Sequence, residues 1–157
     1  MRIQAAVIAL AMAWPGSLVA QSAADSAGVT QAALDYVEGW YEGNAERMAR
    51  AVHPDLVKRI VAERAGASHI QEMTAEQLIG YTAAGGGRQT PAEKRRTEVR
   101  ILDIFGNAAT VRVDADSWID YLQIGQVDGE WKILNVLWEL RREVKDKMKH
   151  QQEEPQQ

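Results

Sequence analysis

Asp114, Asp116, Trp118 and Asp120 recur at a two-residue period in the C-terminal half of the chain. Carboxylates spaced this way mark the solvated face of a strand. Asp120, beside Tyr121, is the one placed for acid or base work. His53, just before Pro54-Asp55, is the second candidate. At a helix end its imidazolium would favour the terminal carbonyls, so it reads as a cap that fixes the turn, with a base or ligand contact as the alternative. His69 and His150 stand apart, and three scattered histidines give no metal-ligand spacing. HExxH, CxxC and GxSxG patterns are absent, as is a phosphate-binding glycine signature. Gly85-Gly86-Gly87 before Arg88 reads as a helix stop, because no Lys-Ser/Thr follows it. No metal and no cofactor are expected.

Candidate ligand contacts are mostly aromatic. Tyr36, Trp40, Trp118, Tyr121, Trp131 and Trp138 are numerous for a small domain. Singly each fills a core; together a subset can stack on a flat ring. Asn135 puts an amide among Ile133, Leu134, Val136 and Leu137. A buried amide needs a partner, so it is either satisfied internally or aimed into a pocket. Arg59 and the connector bases Arg88, Lys94, Arg95 and Arg96 can hold an anion at a pocket mouth or form a solvated charge run.

The frame for these residues begins with a targeting segment over 1–24. Arg2 gives a positive start, Ala5 to Trp14 an apolar stretch, and Pro15-Gly16 a break before small residues. The cut is expected after Ala20 or Ala24, which predicts a periplasmic or secreted protein. The apolar stretch is too short to span a bilayer, so no membrane association is expected after cleavage. The remainder suits one domain over 27–140. The 157-residue chain has no cysteine and a net charge of −4, so thiol chemistry is excluded and a cationic footprint for nucleic acid is missing.

Periodicity places the candidates on elements. Gln21 to Gly28 reads as a flexible leader, followed by a helix capped by Thr30 that carries Tyr36 and Trp40. Asn44 caps a second helix that closes at His53-Pro54-Asp55, since proline cannot continue the ladder. Leu56 to Ala62 reads as a strand, with a helical turn as the alternative. Thr74 to Gln77 is a capping box opening a third helix. Strands follow over Thr97 to Phe105, Ala108 to Ser117, Trp118 to Val127 and Trp131 to Leu140, the last two joined by Asp128-Gly129. The tail, 141–157, is charged and glutamine-rich and reads as disordered. Helices before an antiparallel meander define an α+β domain.

Tyr36-Val-Glu-Gly-Trp-Tyr-Glu-Gly-Asn44, His53-Pro-Asp-Leu56, the meander from Ile101 to Ala109, Asp120-Tyr-Leu122 and Val127-Asp-Gly-Glu-Trp-Lys-Ile133 together resemble the Putative lumazine-binding family of the nuclear transport factor 2-like superfamily. The resemblance implies a cone-shaped fold, three N-terminal helices packed on a curved antiparallel sheet, with a pocket between the first helix and the concave face. It carries little about activity, because such a fold hosts many functions. Ketosteroid isomerases of this fold set a tyrosine donor on the first helix, where Tyr36 stands. Their general base falls at Ile60 and their second donor near Tyr121 to Gln123, where no carboxylate stands. That mechanism needs both acids and is not expected here.

The expectation is a non-catalytic pocket protein for a small hydrophobic or aromatic molecule, held by Tyr36, Trp40, Arg59, Trp118, Tyr121, Asn135 and Trp138. Two alternatives remain. One is a proton-transfer enzyme using Asp120 or His53 as base. The other is a homodimeric interaction module, with Val111, Val113, Ala115, Ile119, Tyr121 and Gln123 on an outer sheet face.

Overall fold

A computed structural model describes residues 23–64 and 66–153. The apolar stretch and the Ala20 cleavage point of the expected targeting segment lie outside the described residues. The first element, α1, runs Ala23–Glu42. It begins well before Thr30, so the expected flexible leader is helical from Ala23 onward. Alanine-rich sequence favours helix, and Val29 is already fully buried one turn before the expected core positions. Val29, Ala33, Tyr36 and Val37 then share one face at i, i+3/i+4 spacing and pack on the sheet.

Helix α2 spans Ala45–Ala51, with the Asn44 side chain accepting from the Arg47 amide. Strand β1 is long, Val52–Arg64, and includes His53 and Pro54. The proline falls where the pairing shifts between Val52 and Val57, so its missing N–H breaks no ladder bond. Strand β2, Ala67–Thr74, was not expected. It is an edge strand whose side chains are nearly all exposed, which leaves no alternation to read. Helix α3, Ala75–Ala83, follows with the reciprocal Thr74–Gln77 capping box in place.

The meander forms as expected: β3 (Glu98–Phe105), β4 (Ala108–Asp114), β5 (Trp118–Val127) and β6 (Glu130–Leu140). Asp128 and Gly129 adopt φ of 51° and 84°, the positive values a tight hairpin turn needs. The sheet order is β2-β1-β6-β5-β4-β3, and β1 joins β6 in parallel. The sheet is therefore mixed rather than wholly antiparallel, and α3 lies after the β1–β2 hairpin rather than in an N-terminal block. A fourth helix, α4 (Arg142–Glu153), occupies most of the tail expected to be disordered. Arg141 anchors its start, donating from Nε to the Ala115 carbonyl at 2.9 Å and from Nη2 to Asp114 at 3.0 Å.

Two expectations about the sheet faces fail. Val111, Val113 and Ala115 are fully buried and face the helices, so they build core rather than an outer patch. Asp114 and Asp120 are buried instead of solvated. The chain turns between β4 and β5, where the Ala115 amide donates to the Trp118 carbonyl at 3.0 Å. That turn breaks the two-residue alternation on which a common solvated face depended.

Candidate functional site

Between α1 and the sheet lies a cavity of about 280 Å³. Tyr36 and Trp40 line it from α1, Met48 from α2, Lys58 and Met73 from the β1–β2 hairpin, and Leu78 from α3. Trp118, Trp138 and Leu140 complete it from β5 and β6. The walls are apolar and largely aromatic. Trp40 and Trp118 meet edge to face, with centroids 6.5 Å apart and planes at 85°.

One polar cluster sits in these walls. Asp120, 0 % exposed, points inward from β5, and Lys58, 8 % exposed, points inward from β1. Lys58 Nζ donates to Asp120 Oδ1 at 2.6 Å and to the Tyr36 hydroxyl at 2.5 Å. The Tyr36 hydroxyl donates to Asp120 Oδ1 at 3.3 Å, and Trp118 Nε1 donates to Oδ2 at 2.5 Å. Both carboxylate oxygens are thus engaged. The ammonium also lies 4.9 Å from the Trp138 ring centroid and 5.3 Å from that of Tyr36.

Burial acts on both neighbours of Asp120. Desolvation pushes the Lys58 ammonium down from the ordinary lysine range, and the charge and hydrogen bond of Asp120 oppose that shift. Desolvation holds the Tyr36 hydroxyl well above the usual phenol range, with Asp120 adding to the effect. Tyr36 therefore stays protonated at neutral pH, a neutral donor, while the Lys58 Nζ is kept in place by one carboxylate.

The structure brings Tyr36, Trp40, Trp118, Trp138 and Asp120 to one place. It leaves the other candidates elsewhere. Arg59 alternates with Lys58 and faces away from the cavity, bonded to Glu72 at 2.6 Å. Asn135 and Tyr121 lie outside the cavity lining, and Tyr121 is exposed, paired across the sheet with Leu137. His53 is near the start of β1, where Nδ1 accepts from the Asp55 amide at 3.1 Å, and it does not line the cavity. Arg88, Arg95 and Arg96 are engaged with Glu42, Thr90 and Glu98. Lys58 is the residue the sequence reading missed. Its signal was the pleat: Leu56 is apolar and buried, so Lys58 two residues on shares the inner face. Among the described residues no group of three or more His, Asp or Glu side chains could hold a metal ion.

The family described as Putative lumazine-binding matches residues 24–139, and the chain belongs to it. Its fold is that of nuclear transport factor 2-like proteins. One such protein of unknown function from Methylobacillus flagellatus is 24 % identical, with a TM-score of 0.59 over 78 % of this chain and 97 % of its own. Another of unknown function, from Shewanella baltica, is 14 % identical, with a TM-score of 0.59 over 77 % of this chain and 97 % of its own. A third, with a cystatin-like fold, from Novosphingobium aromaticivorans, is 12 % identical and has a TM-score of 0.57 over 76 % and 83 %. These likenesses speak for the fold alone. No curated protein matches the chain.

Proposed function

We propose that this protein holds a small hydrophobic or aromatic molecule in the α1–sheet cavity without turning it over. The carrying observation is the cavity itself: aromatic walls around a single buried polar cluster. Such a site gives stacking surface for a flat ring. Trp118 and Trp138 supply the stacking faces, and the Lys58–Asp120–Tyr36 cluster fixes how those walls sit. The family description supports a small-molecule ligand. Tryptophan emission titrated with a panel of fused-ring aromatics tests this reading; saturable quenching is expected, and a flat response across the panel contradicts it.

A second reading is favoured by one contact. Tyr36 and Asp120 touch at the cavity wall, which is the pairing a proton-transfer enzyme requires. Lys58, however, engages the same Asp120 oxygen, which favours a structural ion pair over a free base. Turnover of a ring ketone, lost in Asp120→Asn with binding retained, would establish the enzymatic reading.

We further infer that the protein is exported to the periplasm or beyond. The charged, apolar and small-residue order of the first residues supports this. Cleavage after Ala20 leaves α1 intact, whereas cleavage after Ala24 removes its first residues. N-terminal sequencing of the secreted form separates the two.

A further inference from the structure

The polar cluster in the cavity wall is closed on itself. Lys58 Nζ donates to Asp120 Oδ1 and to the Tyr36 hydroxyl, and it lies 4.9 Å from the Trp138 ring centroid. The Tyr36 hydroxyl donates to Asp120 Oδ1, and Oδ2 accepts from Trp118 Nε1. Among the described residues no buried side-chain nitrogen or oxygen lacks a partner. The surface that the cavity shows to a ligand is wholly apolar. Nothing inside is left to pair with a polar group. A ligand amide or hydroxyl brought in from water would lose its hydrogen bonds there without replacement.

Burial divides the lining. Met48 and Leu78 are buried and close the floor, whereas Trp40, Trp118 and Trp138 are half-buried, so the opening lies on their side. An unbranched thioether on the floor adapts to the outline of an apolar guest. We infer that the enclosed part of the ligand is a hydrocarbon of about two fused rings, because an apolar cavity of about 150 Å³ takes benzene and this one measures about 280 Å³. This rests on the pocket reading and narrows its ligand class: an apolar body, with any polar group held out at the tryptophan rim. A flat heterocyclic dione, of the kind the family description names, has a fitting outline and the wrong edges. Its carbonyls and N–H groups would meet ring faces and aliphatic side chains, and stacking does not replace the water they lose.

The full chain is dialysed to equilibrium against naphthalene, quinazolinedione and lumazine, and the bound amount is measured by chromatography. The three probes share a bicyclic outline and differ in their polar edges. Naphthalene is expected to bind saturably, and each dione more than tenfold more weakly, since a single buried amide left unpaired already costs on the order of tenfold in affinity. Leu78→Trp, which fills the cavity, should abolish the saturable naphthalene uptake; the wild-type ranking stands by itself if this variant does not fold. A dione that binds within tenfold of naphthalene, or more tightly, overturns the hydrocarbon inference and leaves the pocket reading intact. Failure of all three probes to bind overturns the two together.

Discussion

Asp120 accepts from three side chains at once, and each of them lines the cavity. Removing one partner of a buried ion pair strands the other, which costs about 3–5 kcal/mol. Asp120→Ala should lose stability of that order in urea unfolding, and adding Lys58→Met should restore part of it. A double variant as unstable as the sum of the single ones would contradict a coupled pair. Asp114 gives a second test at this scale. Arg112 and then Arg141 hold its carboxyl at about 2, below the ordinary 3.8. Because the folded value is depressed, its contribution is present above pH 3.8 and lost as pH falls toward 2. Stability should therefore fall less between pH 4 and 2 in Asp114→Asn than in the wild type, as followed by circular dichroism. The sequence exposed Asp120 as the residue to test but misjudged its surroundings. Arg59 was legible as a charge, yet the pleat turns it outward and gives its neighbour Lys58 the inner place.

Elements built on local chemistry were readable from sequence, and those built on distant pairing were not. The Asn44 cap, the Thr74–Gln77 box and the Asp128-Gly129 turn each depend on residues within a few positions. The parallel β1–β6 pairing joins residues about half the chain apart, and no local pattern announces it. Strand β2 hid because an exposed edge strand carries no burial alternation. Helix α4 hid because its charged sequence has low hydrophobicity, though its spacing allows a helix anchored through Arg141. The glycine run after α3 does more than stop that helix. A Cβ at Gly87 would lie 2.3 Å from the Trp40 carbonyl oxygen, so the loop rests directly on α1 beside a cavity-lining residue. Gly87→Ala should cost on the order of 1–3 kcal/mol through overpacking and change the near-ultraviolet tryptophan signal. Unchanged stability and signal would mean the loop does not hold Trp40 in place.

At the scale of the whole molecule the chain divides its two sheet faces between separate tasks. The inner face, with Val111, Val113, Leu122 and Ile133, is core and cavity. The outer face carries Tyr121 and Leu137 side by side, 41 % and 53 % exposed. Exposed apolar side chains in register form a natural contact for a second copy, and we propose that the chain homodimerises, through this face rather than the buried Val111 row. Leu137→Lys should shift sedimentation toward monomer without altering ligand binding; an unchanged distribution would remove that face from the interface. The cavity lies on the opposite side of the sheet, so Leu137→Lys leaves its lining untouched.

Native mass spectrometry of the protein purified from its own compartment tests the central claim most directly. The account predicts a reproducible small-molecule adduct that is lost on denaturation and that a Leu78→Trp substitution filling the cavity diminishes. A protein that arrives empty, and stays empty against a broad set of hydrophobic and aromatic compounds, would contradict the assignment of this cavity as a ligand site.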